Sequence, residues 1–168
     1  MTVNGLNSDS IYITMTGRSV WALLNAYYAV LRETAFRPTQ IIIVSEAEHA
    51  GQIPLVKSGL NILSDAYGIA LHVDVEQIQT GDFIDAGRKI SARIKAGKEQ
   101  GSTVAIDITP GRKALVAGAL IPLANLSVDH VFYLQIASTD DAAKPYMMIP
   151  RASQELKDFC DLASQVKP

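Results

Sequence analysis

The chain has 168 residues, of which 48% are hydrophobic and 19% charged, and a formal net charge of −2. That length suits one domain with a proper core. The composition excludes a disordered or fibrous chain, and the charge gives no global pull toward DNA, RNA or an anionic membrane. A polyanionic partner must therefore be met by a local cluster of cations.

The single cysteine, Cys160, precludes an intrachain disulfide framework and fits a reducing cytoplasm. Met1 to Ser10 is polar, with no hydrophobic segment of signal-peptide type. No apolar run approaches the ~20 residues that a membrane-spanning helix needs.

In chain order, Ile11 to Met15 reads as a short buried strand, followed by the polar loop Thr16-Gly17-Arg18-Ser19. From Val20 to Glu33, Leu23, Leu24, Tyr27, Tyr28 and Leu31 recur at helical spacing. Pro38 precedes a second strand, Ile41 to Val44, whose unbroken β-branched run suits a strand covered on both faces. A second helix is expected from about Ile53 to Tyr67, with Gly68 as its stop. In the third strand, Ile69, Leu71, Val73 and Val75 alternate with Ala70, His72 and Asp74, as near a sheet edge. Phe83 to Ala96 is a third helix with a basic face that includes Arg88, Lys89 and Arg93. The fourth strand, Thr103 to Asp107, leads into a helix from about Pro110 to Asn125, and the fifth strand is Val131 to Gln135. Tyr146 to Ile149 is expected as an extra strand and Ser153 to Val166 as a closing helix.

Alternation of this regularity predicts an α/β fold: a Rossmann-like three-layer sandwich over residues 1–168. Its sheet is mainly parallel, with five to six strands, and helices lie on both faces. Right-handed crossovers and an edge-like third strand favour the order 3-2-1-4-5. Strands one and four are then neighbours at the topological switch point, where ligands bind beyond the strand ends.

Two loops meet there. The fourth-strand loop runs Asp107-Ile108-Thr109-Pro110-Gly111-Arg112-Lys113. Thr109 is placed to cap the helix and Pro110 to open it. Gly111 lets an anion approach its backbone N–H, and Arg112 and Lys113 add charge at the positive end of the helix. Capping alone accounts for Thr109 and Pro110, but not for Asp107, Gly111, Arg112 and Lys113 together. The first-strand loop carries Thr14, Thr16, Gly17, Arg18 and Ser19; its hydroxyls suit capping and ligand contact equally well. Arg18, Arg112 and Lys113 are expected around one electropositive cleft that takes a phosphate-bearing ligand.

Several familiar sites are absent. The sequence contains no G-x-x-x-x-G-K-[ST], no G-x-G-x-x-G and no G-x-S-x-G. His49, His72 and His130 show no metal-ligand spacing, and no metal or cofactor is expected. Cys160 reads as a packed thiol beside Phe159, and the basic third helix as a solvated face. Glu46 and Glu48 follow strand two at its carboxyl end, where they could reach the cleft, but surface exposure is the favoured reading.

The string Asp107 to Lys113 resembles the D-x-[ST]-x-x-x-[KR] signature of CARF domains, the CRISPR-associated Rossmann-fold sensors. The hydroxyl- and glycine-bearing first loop resembles their other ligand loop. The resemblance implies a homodimer that binds a cyclic oligoadenylate, here cyclic tetra-adenylate, across its two-fold axis in type III CRISPR antiviral signalling. It further implies an effector, fused beyond Pro168 or associated, that the domain regulates. An alternative is a metal-independent ring nuclease in which a ribose 2′-OH attacks the adjacent phosphate. Lys113 and Arg112 would then stabilise charge, and Thr16 or Ser19 would orient the reacting groups. A third reading is a Rossmann-like domain for another phosphate-bearing metabolite. DNA and membranes are not expected partners.

Overall fold

The computed structural model describes residues 9–122 and 127–166. Six strands form one sheet in the order β3-β2-β1-β4-β5-β6. They are β1 (Ser10–Met15), β2 (Gln40–Glu46), β3 (His72–Ile78), β4 (Thr103–Asp107), β5 (His130–Ile136) and β6 (Gln154–Asp158). The first five run parallel, and β6 joins β5 antiparallel. The expected order is therefore present, with one strand added outside β5.

The helices are α1 (Val20–Glu33), α2 (Ile53–Ala66), α3 (Phe83–Glu99), α4 (Lys113–Leu120) and α5 (Phe159–Gln165). Strand alternation sorts the core into two layers. Ile11, Ile13 and Met15 join Val104, Ile106, Ile90 and Leu115 on the α3/α4 face. Tyr12, Ile41, Ile43 and Phe132 join Leu23, Tyr27 and Leu60 on the α1/α2 face. The central strands β1 and β2 are buried along nearly their whole length, as the unbroken apolar run of β2 requires, and buried Thr14 interrupts the apolar run of β1.

Four elements differ from expectation. The third strand runs three residues later, because it pairs with β2 from Gln40↔His72 to Glu46↔Ile78. Tyr146 to Ile149 is no strand: Pro145 and Pro150 bracket a 3-10 turn at Tyr146–Met148, since proline cannot donate to a ladder. The closing helix is split. Gln154–Asp158 pairs with β5 as an edge strand bearing Glu155 and Lys157, and charged side chains suit an edge. Asp158 then caps α5 by accepting the Cys160 N–H. The fourth helix begins at Lys113, three residues after Pro110. Its expected end at Asn125 lies outside the described residues.

Helices α3 and α4 pack backbone to backbone. A Cβ on Gly87 would stand 2.3 Å from the Gly118 carbonyl oxygen, and one on Gly118 would stand 2.6 Å from that of Phe83. Helix α4 thereby has a fixed starting point at the carboxyl end of β4.

Candidate functional site

Strands β1 and β4 are paired neighbours, with Ile13 opposite Ile106, so their loops emerge side by side. The loops also touch: a Cβ on Gly17 would lie 1.9 Å from the Pro110 carbonyl oxygen. Only a residue without a side chain permits that approach. The two turns therefore converge, as the sequence implies.

Beneath the turns lies a buried polar seam. Asp107 is fully buried and accepts hydrogen bonds from Thr14 Oγ1 at 3.0 Å and from the Thr109 N–H at 2.9 Å. Burial pushes the Asp107 carboxyl up to about 6 against these hydrogen bonds, which pull it down. The Tyr12 hydroxyl is also buried and has no hydrogen-bond partner among the described residues; burial, then the charge of Asp107, raise its pKa well above the ordinary value. Thr16 is buried and its hydroxyl bonds to Ser45 Oγ at 3.3 Å. In this structure Thr14, Thr16 and Asp107 brace the turns from below.

Thr109 is not the cap of α4. Its Oγ1 accepts the Leu134 N–H at 2.9 Å and so ties the turn to β5. The N-cap position belongs to Arg112, whose side chain makes no capping bond. The opening N–H groups of α4 thus have no side-chain acceptor, and a helix terminus in that condition favours an anion. Helix α1 differs, because Ser19 Oγ accepts the Ala22 N–H at 3.3 Å and caps it. Ser19 is half-buried, Gly17 and Pro110 are buried, and Arg18 and Lys113 are exposed.

Glu46 corrects the reading of the sequence most sharply. It is fully buried rather than exposed. Its carboxylate takes a two-pronged grip from Arg112: Nε donates to Oε2 at 3.0 Å, and the second nitrogen donates to Oε1. Oε1 also accepts the Gly81 N–H at 3.0 Å. Exposed Glu48 lies 3.3 Å from the same guanidinium, and the Phe83 ring lies 5.8 Å beneath it. Burial works to raise the Glu46 pKa, but Arg112 and the Gly81 N–H outweigh it and hold the group below its ordinary value. Its position at the carboxyl end of strand two put Glu46 within reach of the cleft, but nothing local revealed its burial, because its partner lies 66 residues away.

The expected electropositive cleft is therefore nearly balanced. Arg18, Arg112 and Lys113 stand against Glu46, Glu48 and Asp107. Among the described residues, Arg18 and Lys113 have no carboxylate partner, whereas Arg88, Lys89, Arg93, Lys95 and Lys98 of α3 all do. Glu46, Glu48 and His49 bring ligand atoms within 4.8 Å of one another. As a cation site this set is poor, because both Glu46 oxygens are already engaged. His72 and His130 pair with Asp74 and Asp158 at 3.0 and 2.7 Å, far apart on the sheet.

A cleft of about 840 Å³ opens at the opposite, amino ends of the strands, lined by Phe36, Arg37, Tyr67, His130 and Asp158. Several of its polar groups are engaged: His130 is bonded to Asp158, and Arg37 donates to the Thr34 and Phe36 carbonyls. Arg18, Lys113 and the uncapped start of α4 lie at the switch point instead.

No family model matches the sequence, and no curated protein matches it. Solved structures share the fold. A type III CRISPR defence DNA nuclease activated by cyclic oligoadenylate is similar at a TM-score of 0.59 and 12% identity, over 77% of this chain and 19% of that one. Protein VC1899 from Vibrio cholerae gives 0.56 and 14%, over 74% and 30%. Enterococcus italicus Csm6, bound to cyclic hexa-2′-fluoro-hexa-dAMP, gives 0.54 and 10%, over 83% and 35%. The chain thus shares the Rossmann-like fold of these structures. It spans about a third or less of the length of these structures.

Proposed function

We propose that this domain binds a cyclic oligoadenylate, in the first instance cyclic tetra-adenylate, at the β1–β4 switch point, as a homodimer that regulates an effector in type III CRISPR signalling. The observation that carries the reading is the contact of the two turns at Gly17 and Pro110, beside unpaired Arg18 and Lys113 and the uncapped start of α4. A phosphodiester oxygen can accept from the first N–H groups of α4 while Lys113 supplies charge. Gly111 is half-buried, and a Cβ there would stand 2.9 Å from both Met15 Sδ and Val116 Cγ2, so its lack of a side chain serves packing beneath the turn. Arg112 adds a guanidinium already oriented by Glu46. Thr14, Thr16, Asp107, Thr109 and Pro110 hold the turns in place, and Ser19 sits at the rim.

The fold likeness supports the ligand class, since two of the similar proteins bind or respond to cyclic oligoadenylates. The dimer is supported by α4 itself. Its sequence, KALVAGAL, is apolar beyond the first residue, and Ala114, Ala117 and Ile121 lie exposed along its outside. A helix that is apolar on all sides belongs in an interface, and a two-fold axis there would bring two copies of Lys113 toward one symmetric ligand.

The exposed, unpaired Lys113 also favours the ring nuclease as a second reading. A ribose 2′-oxygen would attack the adjacent phosphorus, the 5′-oxygen would depart with a proton, and a 2′,3′-cyclic phosphate would remain. Lys113 would stabilise the developing charge while the turns hold the attack in line. Incubation with labelled cyclic tetra-adenylate in EDTA separates the readings. Tight binding with an intact ring supports the sensor. Linear products that vanish in Lys113→Ala support the nuclease. Absence of binding to any cyclic oligoadenylate rejects both.

A further inference from the structure

Glu46 and Glu48 face the ligand turn through Arg112, and the reading above gives Glu46 only the orienting of that guanidinium and Glu48 no role. Acidic groups beside a phosphate site need a reason, because they weaken anion binding by like-charge repulsion. We infer that the two carboxylates set specificity: with Arg112 they admit the singly charged internal phosphates of a ring and reject the doubly charged terminal phosphate of a linear chain. The inference rests on the proposed oligoadenylate site.

The geometry supports it at three points. Arg112 cannot be handed over to a ligand, because fully buried Glu46 would then lose its counter-charge. Nor is all of Arg112 available. Its Nε and second nitrogen are engaged by Glu46 and Glu48, and only Nη1 has no partner among the described residues. One edge of a guanidinium suits one phosphate oxygen, not the full set of a terminal phosphate. Finally, Glu46, Glu48 and Arg112 together carry one net negative charge, so Lys113 brings the corner only to neutrality. A phosphodiester keeps one negative charge across the working range. A terminal phosphate gains its second near pH 6, and Arg18 then leaves only one net positive charge to meet two negative ones. Glu46 is thus a positioning residue for Arg112, and Glu48 a charge filter at the rim.

The test is competition against labelled cyclic tetra-adenylate by two linear tetra-adenylates, one with a 5′-hydroxyl and one with a 5′-phosphate. Both chains see the same titration of His49, Glu46, Glu48, Asp107, Arg18 and Lys113, so their difference reports the phosphate alone. In the wild type the phosphorylated chain should compete less well, with a gap that widens as pH rises through about 6. In Glu48→Gln the gap should shrink by about fivefold, the scale of an exposed charge pair, while the ring binds at least as tightly. Glu46→Gln should instead weaken the ring and both chains together, because Arg112 loses its orientation. Equal competition by the two chains in the wild type overturns the inference. So does a gap of unchanged size in Glu48→Gln, or failure of the phosphorylated chain to compete even there. A wild type that binds no ring at all removes the oligoadenylate reading itself, and this inference with it.

Discussion

Asp107 illustrates how a signature residue acts without facing solvent. Its folded-state pKa, about 6, lies above the reference value of 3.8. Between the two, the folded chain keeps a proton that the unfolded chain has released. Stability therefore falls as pH rises through that window, by about 3 kcal/mol in all, and the loss persists at neutral pH. Asp107→Asn should remove this dependence. An amide can still accept the Thr109 N–H and donate toward Thr14, so neither bond need be lost. Thermal melts from about pH 4 to about pH 7 should show a flatter profile and a variant more stable than wild type at the upper end; a variant less stable there would contradict the assignment. Arg112→Ala should have the opposite character. It strands the buried Glu46 charge and should cost about 2 kcal/mol, below the figure for a fully buried pair because Arg112 is one-third open to water. Adding Glu46→Gln to that variant should restore much of the loss, which a denaturant titration of the double-mutant cycle measures.

Among the elements, what the sequence revealed and what it hid have physical causes. The five parallel strands and their order were legible because β-branched runs and helical spacing are local signals, and the β1–β4 turn site followed from the order alone. The split of the tail was hidden because Gln154–Asp158 is mostly polar; its strand character comes from pairing with β5 and not from its own residues. The start of α4 was misplaced because Thr109 and Pro110 form a good local cap, yet tertiary context gives the Thr109 hydroxyl to Leu134. The Glu46–Arg112 pair spans 66 residues, beyond the reach of any motif. Two glycines then carry element-scale predictions. Gly17→Ala must push the first turn off Pro110, since its Cβ would otherwise overlap a carbonyl oxygen; ring binding should fall at least tenfold, read by titration calorimetry. Gly87→Ala must part α3 from α4 at Gly118, for a cost of about 1–3 kcal/mol in chemical denaturation.

At the scale of the whole molecule, the proposed homodimer needs a face through which two copies meet. The outer surface of α4 makes a specific demand. Ala117→Glu places a charge on that apolar face, clear of the buried Leu115 and Ala119. Sedimentation should report a monomer with an unchanged melting profile, and affinity for cyclic tetra-adenylate should drop with the loss of the second half-site. A variant that stays dimeric would direct attention elsewhere, including the apolar groove of about 470 Å³ lined by Trp21, Leu24, Tyr28, Leu55, Ile62 and Met147.

The carboxylate of Glu46 joins three distant stretches of chain, through the Gly81 amide 35 residues away and the Arg112 guanidinium 66 residues away. Contacts of such separation come together late, once the intervening segments have been collapsed into place. A nascent or half-melted copy can possess helices and paired strands and still lack the knot that orients Arg112. Under the proposed function, ligand binding then demands complete folding, because an immature copy lacks the oriented guanidinium that a phosphate would meet.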